Sequence, residues 1–91
     1  MNTEQGYNFD EKTPKEASVK HFLVLHNDNH NTFDFVMESL VEICDHDALQ
    51  AEQCTFIAHH KGKCDIKKGS FEYLQSFKKK LMDKGLTVTI E

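Results

Sequence analysis

The strongest constraint in the chain is a helical repeat that begins at Phe33. Phe33, Val36, Met37, Leu40, Val41 and Cys44 recur at i, i+3, i+4, i+7, i+8 and i+11, the spacing that gathers apolar side chains on one face of an α-helix. Asn31 or Thr32 can cap its N-terminus, and Asp34 in the first turn suits the helix macrodipole. Such a helix has to bury its stripe against another element. Just ahead of it, VKHFLVLH (19–26) is rich in β-branched and aromatic residues and runs into the polar cluster HNDNHN. That pattern predicts a strand entering a loop.

The order of the remaining elements follows from their punctuation. Asp45-His46 breaks the first helical pattern, and a second helix starts from Asp47 with Gln50 placed as the N3 partner of a capping box. This helix carries Leu49, Gln53, Cys54, Phe56, Ile57 and His60, and it stops at Gly62. KCDI reads as a short strand, Lys67-Lys68-Gly69 as a turn, and Ser70 as the cap of a third helix with Phe71, Leu74, Phe77 and Leu81 on one stripe. Lys78, Lys79, Lys80 and Lys84 crowd the C-terminal half of that helix, where cations favour the dipole, and Gly85 closes it. LTVTI is a final strand. The order β-α-α-β-α-β predicts a small α/β domain of the α+β kind, with helices packed on one face of a three-stranded sheet. Residues 1–18 follow neither a helical nor a strand period and read as a flexible N-terminal arm, leaving 19–91 as the folded domain.

Composition narrows the function. Ninety-one residues, 38% hydrophobic and 29% charged with mean hydropathy of -0.59, make one soluble domain with one modest core. The longest apolar run is the four residues Phe22 to Leu25, against roughly 18 for a membrane span. The N-terminus has no basic cluster followed by an apolar stretch, so the expectation is a cytoplasmic monomer without a secretory signal. All 11 basic residues are lysine. Through residue 60, three lysines face 11 acidic residues for a net charge of -8, and from Lys61 onward eight lysines face four acidic residues for +4. An acidic chain without a guanidinium fork is poorly suited to reading bases, so no nucleic-acid partner is expected. The lysine-rich end reads as a solvated helix face.

Six histidines and three cysteines invite a search for a metal site or a nucleophile. Cys44, Cys54 and Cys64 are ten residues apart and form no CxxC clamp, so they read as reduced thiols. Cys54 and His59 are five apart and His60 and Cys64 four apart, but no HExxH or paired CxxC closes a four-ligand set. Pairing Cys54 or Cys64 with His59 would make a dyad, yet nothing in the sequence depresses a thiol pKa or builds an oxyanion hole. With no GxSxG, Walker loop or GxGxxG present, the chain is expected to be neither an enzyme nor a cofactor carrier. On residue types alone, HNDNHN reads as Asx-turns and a helix cap.

Three motifs in order carry more. VLHNDNHNTFDFV, then AEQCTFIAHHKGK, then a terminal GLTVTIE resemble the ClpS family of adaptor proteins from about Val19 to Glu91. Members of that family carry a VNDD(Y/D)TPMEFV-like segment, a helix ending in H-x-x-G-K, and a C-terminal strand ending near TLE. The resemblance implies a small α/β domain behind a flexible extension needed for delivery. It also implies an adaptor that captures N-degrons beginning with Leu, Phe, Tyr or Trp and hands them to the N-terminal domain of a Clp-type AAA+ unfoldase, ClpA or ClpC.

Carried over position by position, the resemblance makes Asn27, Asp28 and His59 the groups that hold the substrate's α-amino group, with Asn29 beside them. An ammonium has three donors and suits several convergent acceptors, at least one anionic. The apolar pocket is expected from Phe33, Val36, Thr55, Ala58 and Leu86, with Asn31 at its rim. His30 and Glu72 match positions associated with unfoldase contact. Asn29 stands where many members have a second Asp, and His30 where Tyr is common. Phe33 and Thr55 stand where Met is typical, and Ala58 where Val is. One pocket wall is therefore enlarged and two are reduced. Two alternatives accompany this reading: a ClpS-like domain that docks on an unfoldase without reading N-termini, and a small metal-binding domain.

Overall fold

A computed structural model describes residues 21–91. The proposed arm and the first two residues of the predicted first strand, Val19 and Lys20, lie outside them. The element order is β1 (His21–His26), α1 (Phe33–Cys44), α2 (Ala48–Lys61), β2 (Lys63–Gly69), α3 (Phe71–Asp83) and β3 (Thr87–Ile90). β1 lies between the other two strands and pairs antiparallel with both, Leu25 standing opposite Cys64 on one side and Val88 on the other. Leu23 and Leu25 point from this central strand into the core, where they meet Leu40 of α1, Ala51 and Ala58 of α2, Leu74 and Leu81 of α3, and Ile66 of β2. This is the predicted α+β arrangement.

Capping sets the helix boundaries. Thr32 Oγ1 accepts from the Phe35 N–H at 3.1 Å, Asp47 Oδ1 from Gln50 at 2.7 Å, and Ser70 Oγ from Tyr73 at 3.1 Å. Each replaces one of the partners that the first turn of a helix lacks. α2 ends on Gly62 at φ 98°, and α3 gives way to Gly85 at φ 92°. At the second end the Leu86 N–H reaches the Leu81 carbonyl at 3.1 Å and the Gly85 N–H reaches Met82 at 2.9 Å. This is a Schellman closure, and its two apolar partners, Leu81 and Leu86, are both buried.

One expectation is corrected. Lys67, Lys68 and Gly69 are not a turn but the end of β2, pairing with Leu23, Phe22 and His21. The register shifts between Leu23 and Val24, so Ile66 is an extra residue on β2. A bulge of this kind lets neighbouring residues serve one face. Ile66 joins the core, while the Lys67 ammonium lies 4.9 Å from the Phe77 ring centre and 3.4 Å from the Cys44 carbonyl. α2 buries a face of small residues. Its buried residues are Ala51, Thr55 and Ala58, with Cys54 half-buried, whereas Leu49, Phe56 and Ile57 face solvent. Small side chains let the α2 backbone approach its neighbours closely, and the large ones are turned outward. The stripe predicted for α3 holds at Leu74 and Leu81, both fully buried, with Phe71 exposed.

The break between α1 and α2 has its own anchor. Asp45 takes the left-handed conformation at φ 61°, and His46 folds inward until it is 5% exposed. His46 Nε2 lies 2.8 Å from the Ile66 carbonyl. A carbonyl only accepts, so Nε2 carries a proton, and Nδ1 is buried without a hydrogen-bond partner among the described residues. The bond fastens the α1–α2 corner to the bulge of β2.

Candidate functional site

β1 runs out at His26, and the next five residues form a tight loop organised by Asp28. Asp28 Oδ1 accepts from the backbone N–H groups of His30 and Asn31, both at 2.9 Å, and Oδ2 accepts from Asn31 Nδ2 at 2.9 Å. The same Asn31 amide also donates to the Gly85 carbonyl at 2.9 Å. The start of the loop is fixed separately, by the Asn27 N–H donating to the Gly62 carbonyl at 2.9 Å. The loop is thus tied to the C-terminal ends of two helices. Burial alone would raise the Asp28 pKa, but the bonds from Asn31 and the His30 N–H, together with the His30 charge, outweigh it and hold the carboxyl below its ordinary 3.8.

Between this loop, the first turn of α1 and the second half of α2 lies a cavity of about 340 Å³, a volume typical of small-molecule and side-chain sites. Its exposed edge carries Asn27, Asn29 and His59, with Asp28 half-buried among them. Its inner wall is Leu25, Val36, Thr55 and Ala58, and Phe33 stands at 38% exposure on the α1 side. The Thr55 hydroxyl donates to the Ala51 carbonyl at 2.7 Å, so its donor is spent within the helix and the wall stays effectively apolar. One end of the cavity is lined with acceptors and a carboxylate, the other with hydrocarbon. Such a shape suits a ligand with a cationic head and a bulky apolar side group.

Nine residues singled out from the sequence line this cavity together: Asn27, Asp28, Asn29, Asn31, Phe33, Val36, Thr55, Ala58 and His59. Leu86 is not among them. It is 4% exposed and belongs to the core, while its neighbour Gly85 meets the loop through Asn31. His30 is exposed on the loop, and Glu72 is exposed in the first turn of α3.

Two lining residues, Leu25 and His26, were not anticipated. Strand alternation already signals Leu25, because it is the last helix-facing position of β1 before the loop. His26 has no such signal. Its Nε2 is bonded to Thr89 Oγ1 at 2.8 Å and lies 3.7 Å from the Glu91 carboxylate, both distant in sequence.

Cys44 and Cys64 are poorly suited to act as nucleophiles or metal donors. Burial, the neighbouring Cys54 thiol and Asp65 push the Cys64 thiol up to about 12. Burial pushes Cys44 up to about 11. Thiols this reluctant to ionise are poor attackers and poor ligands. Among the described residues no three His, Cys, Asp or Glu side chains are grouped to hold a metal ion, and no helix is long and apolar enough to cross a membrane.

Comparison with known proteins adds two findings. The family described as ATP-dependent Clp protease adaptor protein ClpS matches residues 15–89. Among solved structures, that of Agrobacterium tumefaciens ClpS2 bound to L-phenylalaninamide aligns with a TM-score of 0.77 at 19% identity, covering 80% of this chain and 95% of that one. No curated protein matches the chain.

Proposed function

The chain belongs to the ClpS family of Clp protease adaptors, and on that footing we propose that it captures proteins by a free N-terminus bearing a bulky apolar first residue and passes them to a Clp-type AAA+ unfoldase. The observation that carries this reading is the two-ended cavity. Asp28, Asn27, Asn29 and His59 surround its polar edge, and Phe33, Val36, Thr55 and Ala58 line its apolar depth. Asp28 supplies the negative charge, and the lowered pKa keeps it charged at neutral pH. Asn27, Asn29 and the His59 ring supply further acceptors for the three donors of an ammonium. The first side chain enters the cavity and leaves water, each buried methylene contributing about 0.8 kcal/mol.

The solved ClpS2 structure contains L-phenylalaninamide, a ligand with a free α-amino group and an aromatic side chain. We extend that chemistry to this chain and propose aromatic first residues, Phe, Tyr and Trp, ahead of Leu. Thr55 and Ala58 are small and open the α2 wall, while Phe33 offers a ring for edge or face contact. Delivery is tested with a reporter protein beginning with Phe, incubated with a ClpA- or ClpC-containing protease. Degradation that requires this adaptor is expected, and adaptor-independent rates for Phe- and Met-initiated reporters would refute the proposal.

One observation favours a second reading. Asp28 Oδ1 already accepts two backbone N–H groups and Oδ2 accepts a third donor, as a purely structural loop cap would. On this reading the domain docks on an unfoldase, through exposed groups such as His30 and Glu72, without reading N-termini. Unfoldase binding without any peptide binding would decide for it.

A further inference from the structure

The α2 residues Leu49, Glu52, Gln53, Phe56 and Ile57 form a stripe at i, i+3, i+4, i+7 and i+8. Together with Phe33 they line a groove of about 450 Å³ on the outer side of the helix. Leu49, Phe56 and Ile57 are 62%, 55% and 39% exposed. Large apolar side chains left exposed together on one helix face, here Leu49, Phe56 and Ile57 beside the polar Glu52 and Gln53, mark a contact surface. The groove is continuous with the candidate cavity, because Phe33 lines both.

We propose that this groove is a second subsite, which receives apolar side chains at positions two to four of a chain whose N-terminus occupies the cavity. The inference rests on the capture of free N-termini set out above. Along α2, His59 at the polar edge and Leu49 at the far end of the groove are ten residues apart, a rise of about 15 Å. An extended chain covers that distance in about four to five residues. A captured chain running back along α2 therefore reaches the groove with the residues that directly follow the first. Phe33 is touched from both sides, by the first side chain in the cavity and by its followers in the groove. Phe56 is backed by the His60 ring at 4.1 Å, which extends the aromatic surface toward the polar edge. Among the described residues Glu52 is the only charged one that lines the groove, so an acidic residue at these positions is repelled while an apolar one is buried.

The test uses the full chain and three peptides with a dye on a C-terminal lysine: Phe-Gly-Ser-Gly-Ser-Lys, Phe-Leu-Val-Leu-Ser-Lys and Phe-Glu-Ser-Glu-Ser-Lys. Fluorescence anisotropy is expected to give the Leu-Val-Leu peptide a Kd about tenfold lower than the Gly-Ser-Gly peptide, with the Glu peptide weakest. In the Leu49→Ser/Phe56→Ser variant, checked for an unchanged melting temperature, the advantage is expected to shrink to about twofold or less while the Gly-Ser-Gly peptide binds as before. Equal Kd values for the first two peptides, or an advantage that survives in the variant, would overturn the subsite and leave N-terminal capture standing. Absence of binding by all three would overturn both. Concentration-dependent self-association that the variant abolishes would assign the groove to a second copy, and loss of unfoldase binding in the variant with peptide binding intact would assign it to the unfoldase; either overturns the subsite.

Discussion

Asn31 holds Asp28 by two routes, its backbone N–H bonding Oδ1 and its side-chain Nδ2 bonding Oδ2, each at 2.9 Å. The second Nδ2 hydrogen reaches the Gly85 carbonyl, 54 residues further along the chain. The Asn31 side chain therefore helps to orient the one carboxylate that lines the cavity among the described residues, and it anchors the loop to the end of α3. The carboxylate is aimed before any ligand arrives, which lowers the ordering cost of binding.

Asn31→Ala is expected to lose both side-chain bonds and to lower unfolding free energy by about 1–2 kcal/mol. Urea denaturation reads this directly. Peptide affinity should fall as well, because Asp28 keeps the two backbone bonds to Oδ1 but loses the one that fixes Oδ2. Unchanged stability and affinity would show that the bridge has no role.

The pH dependence of Asp28 has a definite sign. Its folded pKa lies below the ordinary aspartate value of 3.8, so the loop gains from ionisation at all pH values above that point. The gain is lost as pH falls from there through the folded value. A carboxyl NMR titration should place the Asp28 midpoint below those of exposed aspartates, and Asn31→Ala should move it upward. A midpoint at or above the exposed aspartates would contradict the loop geometry.

Thiol labelling gives an independent check on packing. With the Cys64 thiol pushed up to about 12 and Cys44 up to about 11, the thiolate fraction at pH 8 is about one in ten thousand for the first and one in a thousand for the second. Iodoacetamide at pH 8 should modify both far more slowly than in urea-unfolded protein. Rapid native-state alkylation at either would show that the α1–α2–β2 packing is looser than described.

How much of this was legible in the sequence depended on where the signal lay. Thr32, Asp47, Ser70, Gly62 and Gly85 marked the helix ends because capping is local chemistry. The buried face of α2 was not legible. Leu49, Phe56 and Ile57 dominate any count of apolar periodicity, yet close helix packing selected Ala51, Thr55 and Ala58 instead. The end of β2 was hidden because Lys67-Lys68-Gly69 has the composition of a turn, while the bulge at Ile66 makes it strand. The cavity residues of the Asn27–Val36 stretch and of α2 were recoverable from motif resemblance. Leu86 went to the core because the closure of α3 pairs it with Leu81. No local pattern could show that Asn31 meets Gly85 or that His26 meets Thr89.

Recognition of a cationic N-terminus beside an apolar cavity is tested most directly by one titration. Isothermal calorimetry should compare a peptide beginning with Phe to the same peptide acetylated at its N-terminus. Acetylation leaves the side chain intact and removes the charge and two donors. Measurable binding by the free amine is expected, with a loss of at least about a hundredfold, about 2.7 kcal/mol, on acetylation. Equal affinity for the two peptides, or no binding by the free amine, would contradict it.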